Sequence, residues 1–129
     1  MASRTPSAAF SKTVSEAAFQ DAVIDLAHVL GWKVAHFRPA KTNQGWRTPV
    51  AADGKGFPDL VMVRGERLIF AELKSEKGKM SPEQDAWMEA LRFTGALIAV
   101  WQPRHWDHIV QELKETRTAQ EIFEQEIVS

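Results

Sequence analysis

Apolar side chains recur along the 129-residue chain with two spacings, one typical of helices and one typical of strands. Between residues 13 and 30 they return every three or four positions, which predicts a helix that Gly31 ends. The apolar positions of this predicted helix are Phe19, Val23, Leu26, Ala27 and Leu30. The same spacing from Trp106 to Leu113 predicts another helix.

Four short stretches have the length and the β-branched or aromatic composition of strands. They cover residues 32–38, 60–63, 68–73 and 96–101. The second and third are separated only by the tetrapeptide RGER at 64–67, whose glycine suits a tight turn. These two strands are therefore predicted to form a β-hairpin.

Two further helix starts are visible in the polar residues. The tetrapeptide SPEQ at 81–84 has serine as the cap, proline at the first helical position and glutamine at the third, and Gly95 marks the end of that helix. Thr118 and Glu121 have the spacing of a capping box and predict a last helix. The order α-β-β-β-α-β-α predicts an α/β fold, with a mixed sheet flanked by helices, in a single domain.

Composition narrows the class of protein. The chain has no cysteine, so disulfides and thiolate metal sites are excluded, and a reducing compartment, the cytoplasm, is expected. No apolar run approaches the roughly 18 residues of a membrane span, so no membrane association is expected. Residues 1–12 are predicted to be a flexible tail, and residues 39–56, rich in Pro, Gly, Asn and Thr, one long loop.

The formal net charge of −1 conceals an uneven distribution of charge. Residues 33–55 contain five basic side chains and one acidic side chain, whereas residues 105–129 contain two basic and six acidic ones. The basic part would attract a phosphate backbone, and the acidic part would repel it. From charge alone, two solvated faces of unlike charge are the simpler interpretation.

The candidate chemistry lies in residues 56–74, GFPDLVMVRGERLIFAELK. Side chains alternate along a strand, so Glu72 and Lys74 share one face, about 7 Å apart. The tight turn places Asp59, at the start of the first strand, beside the end of the second. Two adjacent carboxylates repel each other, and a bound Mg²⁺ or Mn²⁺ would remove the conflict. The alternative is a structural ion-pair cluster with Lys74 between the two carboxylates.

Two more polar side chains point toward the predicted sheet. Glu16 precedes Phe19 by one helical turn, and Gln84 lies on the apolar stripe of the second helix. Each also has a structural interpretation, because Glu16 would close a capping box with Thr13 and Gln84 would close one with Ser81. Two polar groups aimed at one acidic pair nevertheless favour a single site.

The motifs in chain order are Glu16 on the first helix, GFPDL at 56–60, FAELK at 70–74 and SPEQ at 81–84. This arrangement resembles the PD-(D/E)xK nuclease superfamily, and most of all its VRR-NUC branch, the virus-type replication–repair nucleases. The resemblance extends from about residue 16 to residue 103 and implies a restriction-endonuclease-like fold.

The resemblance also implies roles for single residues. The implied ligands of Mg²⁺ or Mn²⁺ are Asp59, Glu72, the backbone carbonyl of Leu73 and, directly or through water, Glu16. Lys74 would orient or activate the attacking water, and Gln84 would support the site. His36, on the first strand, is an accessory candidate, although a lone histidine in a strand usually has a structural role.

Taken together, these assignments imply a metal-dependent DNA endonuclease that hydrolyses phosphodiester bonds. Selectivity for branched or junction DNA, in replication, repair or phage DNA processing, would rest on backbone and shape, since no base-reading motif is visible. The long loop would contact DNA through Lys41, Trp46, Arg47 and Lys55. Two other classes stay open, namely a nucleic-acid-binding module without catalysis and a small interaction domain.

The acidic segment 105–129 leads to a prediction about assembly. Its two helices carry more apolar positions than one face of a sheet requires, including Ile122, Phe123 and Ile127. An exposed apolar patch of this kind is commonly buried by a second copy of the chain. We therefore expect a homodimer joined through residues 105–129.

Overall fold

The computed structural model describes residues 14–37, 40–42, 45–47 and 51–128, without the side chains of residues 40–42, 45–47, 119 and 128. Its helices are α1 (Glu16–Val29), α2 (Pro82–Leu91), α3 (Trp106–Lys114) and α4 (Ala119–Val128), with a 3₁₀ turn at Pro103–His105. Its strands are β1 (Lys33–His36), β2 (Ala40–Thr42), β3 (Gly45–Arg47), β4 (Leu60–Arg64), β5 (Arg67–Leu73) and β6 (Leu97–Trp101). The predicted tail, residues 1–12, lies outside the described residues.

Four strands form one mixed sheet in the order β1-β4-β5-β6. The first three are antiparallel, and β6 joins β5 in parallel after the crossover through α2. The predicted hairpin is present, with Arg64 opposite Arg67 across the turn. The predicted α/β class and the order α-β-β-β-α-β-α are confirmed, and α4 follows as the predicted last helix.

The segment 39–56 differs from the prediction of one continuous loop. It contains a two-stranded antiparallel hairpin of β2 and β3, in which Lys41 pairs with Trp46. Because Pro, Gly and Asn are poor strand formers, the composition of this segment favoured a loop. Backbone pairing between two three-residue strands is a signal that composition does not carry.

One face of the sheet carries the hydrophobic core. The core residues of α1, α3 and the sheet are fully buried, and the largest of them are Phe19, Val23, Leu60, Met62, Ile69, Leu73, Ile109 and Leu113. Side chains alternate along the strands, so the neighbouring residues point to the opposite face. That face remains partly open, with Val63 43% and Leu68 37% exposed.

Trp32, Arg64 and Arg67 hold the ends of two helices at the hairpin end of the sheet. The Trp32 indole N–H donates to the Leu113 carbonyl at 2.9 Å, and both guanidinium groups stack on the indole at 4.8 and 5.4 Å. Arg64 donates to the carbonyl that follows α1, and Arg67 donates to the Glu112 carbonyl. The last carbonyls of a helix lack intrahelical partners, so these donors fix α1 and α3 against the sheet.

The start of α1 corrects the capping prediction. Ser15 is the N-cap, and its hydroxyl accepts a hydrogen bond from the Ala18 N–H at 3.0 Å. Glu16 is therefore the first helical residue rather than the third, which a capping box requires, and Thr13 lies outside the described residues. The Glu16 carboxylate is thus available for other contacts.

α2 begins with the predicted capping box. The Gln84 N–H donates to the Ser81 hydroxyl at 3.1 Å, and the Ser81 N–H donates to Gln84 Oε1 at 2.8 Å. The predicted buried face at Trp87, Met88 and Leu91 is only half-buried, and no residue of α2 is fully buried. Individual contacts must therefore hold this helix in place.

The loop before β4 supplies these contacts. The Trp87 indole N–H donates to the Asp53 carbonyl at 3.0 Å, and its ring meets the Phe57 ring edge to face at 5.0 Å. Gly56 has a φ of +85°, and a Cβ placed there would lie 2.6 Å from the carbonyl carbon of Glu83. Only glycine allows this approach, so the loop and the start of α2 fit together through Gly56.

We predict that Gly56→Ala destabilises the protein more than the matched variant Gly95→Ala. Gly95 has a nearly equal φ of +88°, but no atom lies within 4 Å of its added Cβ, so this variant measures backbone strain alone. Strain should cost about 1 kcal/mol in both variants, and displacement of α2 should add about 1–3 kcal/mol for Gly56→Ala. Urea unfolding in EDTA measures the difference. Equal losses of stability would show that α2 does not depend on this close approach.

Candidate active site

Asp59 and Glu72 lie side by side at the end of the sheet opposite the hairpin turn. The register pairs Leu60 with Ala71, so the next residues along the two strands are Asp59 and Glu72. Asp59 Oδ2 accepts a hydrogen bond from the Leu73 N–H at 2.9 Å, which holds this carboxylate against β5. The predicted adjacency of the two carboxylates is confirmed.

The Glu72 carboxylate is buried, with the residue only 1% exposed. Its Oε2 accepts a hydrogen bond from Gln84 Nε2 at 2.7 Å and lies 3.2 Å from the Lys74 ammonium. Its Oε1 is also buried and has no hydrogen-bond partner in the part of the chain that the structure describes. A buried carboxylate oxygen without a partner is costly, so this atom marks a position where a cation would be strongly stabilised.

The ionisation of Glu72 reflects this environment. The pKa of Glu72 is raised to about 7, chiefly by burial and then by the adjacent Asp59 carboxylate, while Lys74 opposes both effects. A carboxyl group that holds a proton near neutral pH beside a second carboxylate is typical of an acidic pair that shares one proton. A divalent cation can replace that proton, which fits the predicted chemistry of the site.

Lys74 is directed at Glu72 by contacts along its whole length. Its backbone N–H donates to the Trp101 carbonyl at 2.9 Å, which ties the residue to β6. Its aliphatic stem lies against Gly78, where an added Cβ would be 3.2 Å from both Cβ and Cδ of Lys74. The side chain is 13% exposed, so the ammonium group sits at the mouth of the site rather than free in solvent.

Glu16 reaches the same site from the first turn of α1. The residue as a whole is exposed, but its carboxylate lies near the Ser75 N–H, Asp59 and Lys74. Partial burial and the negative charge of Asp59 raise the pKa of Glu16, whereas Lys74 and the Ser75 N–H lower it. The structure thus places Glu16 within electrostatic range of Asp59, and its role as a metal ligand stays a prediction.

The Gln84 side chain connects a helix cap to the site. Its Oε1 accepts a hydrogen bond from the Ser81 N–H, and its Nε2 donates to Glu72 Oε2. Because the cap engages the carbonyl end of the amide, the NH₂ end must face Glu72. Gln84 therefore caps α2 and also contacts Glu72, while its role in a functional site stays a prediction. Its hydrogen bond goes to Oε2 and leaves Glu72 Oε1 without a partner among the described residues.

The residues present fit a divalent cation in part. Asp59 and Glu72 supply adjacent carboxylates and one unpartnered oxygen, which is the donor chemistry that Mg²⁺ and Mn²⁺ prefer. Across the described ranges, however, no group of three His, Asp or Glu side chains is arranged to hold a metal ion. A cation here would need further oxygens, such as the Leu73 carbonyl and a water held by Glu16, as the resemblance implies.

The other predicted residues are placed less directly. The register aligns His36 with Leu60, so it lies on the core-facing side of the sheet and not on the Glu72 side, and its accessory role stays a prediction. Lys55 is exposed, and its ammonium group is 3.9 Å from the Glu83 carboxylate. The backbones of Lys41, Trp46 and Arg47 belong to β2 and β3, but their side chains lie outside the described part of the chain.

Sequence analysis missed two residues that support the site. Gly56 fits against the start of α2, and Gly78 fits against the stem of Lys74. Gly56 contacts the backbone of Glu83 in α2, and Gly78 contacts the side chain of Lys74 across a turn. The spacing of apolar residues along the chain predicts neither contact. The only local signal was the position of Gly56 within the GFPD motif.

A mixed sheet that places PD and ExK motifs on two adjacent strands defines a nuclease-type domain of the PD-(D/E)xK class. The VRR-NUC domain matches residues 27–105, and the chain belongs to this family. The match includes Asp59, Glu72, Lys74 and Gln84, whereas Glu16 and α4 lie outside it. Comparisons with curated proteins and with solved structures gave no significant match. Within the described residues, no helix is long and apolar enough to cross a membrane.

We predict that Glu72→Gln stabilises the metal-free protein at alkaline pH. The pKa of Glu72 is raised from 4.5 to about 7, so the cost of its charge is absent below about pH 4.5 and is fully present only above about pH 7. In EDTA at about pH 8 the variant should gain about 1–3 kcal/mol over wild type, and this gain should shrink toward about pH 5. Urea unfolding at both pH values measures the gain. An equal or lower stability of the variant at about pH 8 would show that the buried charge of Glu72 does not destabilise the folded protein.

Proposed function

We propose that the protein is a metal-dependent DNA endonuclease, with Mg²⁺ or Mn²⁺ bound between Asp59 and Glu72. The observation that carries the proposal is the buried Glu72 Oε1, which has no partner among the described residues although it lies in an acidic pair. A purely structural ion pair would satisfy both oxygens of such a carboxylate. Membership of the VRR-NUC family supports the same conclusion.

Each residue of the site has a distinct task in this proposal. Asp59, Glu72 and the Leu73 carbonyl hold the cation, with Glu16 as a ligand directly or through water. When bound, the cation lowers the pKa of a coordinated water and stabilises negative charge on the phosphate. The Lys74 ammonium adds positive charge beside the attacking water, which favours the loss of its proton.

The reaction is hydrolysis of a phosphodiester. The water oxygen forms a bond to phosphorus, the bond from phosphorus to the leaving sugar oxygen breaks, and that oxygen takes up a proton. The hydrogen bond from Gln84 and the ion pair with Lys74 both engage Glu72 Oε2, so Oε1 would remain available to a cation. Gln84 and Lys74 therefore orient the Glu72 carboxylate before the substrate binds.

The proposed substrate is DNA with branched or junction structure, as in replication, repair or phage DNA processing in the cytoplasm. Lys41, Trp46, Arg47 and Lys55 would contact it on the strand-and-loop segment immediately upstream of Asp59. Cationic side chains bind the backbone without reading sequence, which agrees with the lack of a base-reading motif in the sequence. Trp46 would stack against an unpaired base.

A non-catalytic binding module of the same fold is the competing function. Such a module would gain nothing from two carboxylates next to a phosphate backbone, because they repel it. The pair is also built at a cost, since the buried Glu72 has a pKa near 7. If no cation were bound, a binding module that lacked Asp59 and Glu72 would be more stable than one that kept them, and it would bind DNA better.

We predict that Mg²⁺ or Mn²⁺ raises the melting temperature and is required for DNA cleavage. Asp59→Ala should lose both effects, because it removes a ligand. Lys74→Ala should keep the rise in melting temperature but cut DNA about 10²-fold more slowly or worse, since its charge acts on the water and the transition state. Lys114→Ala, at an exposed lysine on α3, is the control.

A nicking assay with and without EDTA, read beside thermal melting, separates these outcomes. Cleavage by wild type in excess EDTA would overturn the metal-dependent mechanism. Cleavage by Lys74→Ala at a rate close to that of wild type would overturn the role of Lys74, and the structural ion pair would then explain that residue better.

We also propose that two copies associate through α4. Ile109 and Leu113 of α3 are fully buried within the chain, but Phe123 and Ile127 of α4 are 57% and 65% exposed. An apolar pair this open is better covered by a twofold partner than left in water. Two coupled sites would then allow paired incisions on opposite strands.

Light scattering at micromolar concentration should report twice the chain mass of 14.5 kDa. Phe123→Glu combined with Ile127→Glu should give the single chain mass, because charge at an apolar interface is strongly unfavourable. A wild-type mass of one chain would contradict the proposed dimer. An unchanged dimer mass in the double variant would place the interface elsewhere and contradict the role of α4.

A further inference from the structure

The loop after β5, residues 75–79 (SEKGK), begins at the acidic site and carries two exposed lysines, Lys77 and Lys79. Neither ammonium group has a hydrogen bond or ion pair to any of the described residues. The backbone of this loop directly follows Lys74 of the proposed site. Sequence analysis assigned no role to these two lysines.

The inner side of this loop is fixed to the site. The Ser75 N–H lies near the Glu16 carboxylate, and Gly78 packs on the stem of Lys74, where an added Cβ would lie 3.2 Å from the Lys74 side chain. The Gly78 N–H also donates to the Ser75 carbonyl at 3.0 Å, which closes a tight turn. These contacts restrain the backbone on either side of Gly78, where Lys77 and Lys79 lie.

The outer side of the loop is fixed to the segment that follows β6. Gln102 Nε2 donates to the carbonyls of Ser75 and Glu76 at 3.2 and 3.3 Å. The Arg104 N–H donates to Glu76 Oε2 at 2.7 Å, and its guanidinium group lies 3.6 Å from Glu76 Oε1. A loop held at both sides loses little further conformational entropy when it binds a ligand.

These contacts also decide the charge that the loop presents. Glu76 is the only acidic residue of the loop, and Arg104 neutralises it. With respect to the described part of the chain, Lys77 and Lys79 remain as two uncompensated positive charges on this loop. Such a surface complements a chain of phosphates, for which two lysines a short distance apart are suited to adjacent backbone groups.

We propose that residues 75–79 form a second contact surface for the DNA phosphate backbone, with Lys77 and Lys79 as the contacting residues. This inference rests on the proposed nuclease function and extends it. The basic segment around Lys41, Arg47 and Lys55 leads into Asp59 just before β4, whereas residues 75–79 follow Lys74 beyond β5. The scissile strand would thus be held on both sides of the carboxylate pair, which would set its position before hydrolysis.

The test is the salt dependence of DNA binding, measured in EDTA so that no cleavage occurs. Each phosphate contact contributes about 0.9 to the slope of log affinity against log salt. Lys77→Gln combined with Lys79→Gln should lower that slope by about 2 and weaken binding several-fold at about 0.1 M salt. Lys77→Arg combined with Lys79→Arg keeps both charges and should keep the slope.

A matched control carries the same number of substitutions away from the site. Lys114 at the end of α3 and Arg117 just after it are both exposed and lie in the acidic segment 105–129, so Lys114→Gln combined with Arg117→Gln should leave the slope at the wild-type value. The metal-induced rise in melting temperature should be the same in all three variants and in wild type. This readout shows that the carboxylate pair is intact in each protein.

Two outcomes would overturn the inference. One is a wild-type salt slope in the Lys77 and Lys79 glutamine variant, and the other is an equal fall of the slope in the control variant. Binding in EDTA does not depend on hydrolysis, so a protein that binds but never cuts would contradict the proposed nuclease function alone. A wild-type protein that fails to bind DNA would contradict both.

Discussion

The structure depends on one unfavourable arrangement, the burial of the Glu72 carboxylate beside a second carboxylate. Desolvation and Asp59 together raise the pKa of Glu72 to about 7, and only Oε2 is compensated, by Gln84 and Lys74. Three separate elements must meet for this to happen, because Asp59 precedes β4, Glu72 lies near the end of β5 and Gln84 lies in the first turn of α2. The β4–β5 register and the placement of α2 are therefore as much parts of the site as its charged groups.

Favourable packing in the rest of the fold offsets the free-energy cost of burying charge at the site. A hydrophobic core covers one face of the sheet. At the hairpin end, the indole of Trp32 and two arginines fix α1 and α3 through carbonyl groups at the ends of these helices. The site end is held by polar contacts and by glycine approaches rather than by buried apolar area, as the half-buried α2 shows. A protein that buries an unpartnered charged group at one place must bury apolar groups and pair its polar groups well elsewhere.

The parts of the site that depend on local geometry could be predicted from the sequence. The alternation of β5 and the length of the RGER turn were enough to place Asp59 beside Glu72. They were not enough for Gln84, where cap and site role stood as alternatives, because only the tertiary structure shows that each end of the amide does one task. The capping box at Glu16 was wrong by two residues, since a serine at position 15 competes with a threonine at position 13 for the same helix start.

The central claim is that the buried carboxyl pair holds a proton that a divalent cation displaces. Calorimetric titration with Mn²⁺ in two buffers of different ionisation enthalpy counts the protons released on binding. At about pH 6 binding should release about one proton per site, and at about pH 8 the number should fall close to zero, because the pKa of Glu72 is about 7. Glu72→Gln should release none at either pH. Mn²⁺ binding to wild type without proton release at about pH 6 would contradict the account, as would no binding at either pH.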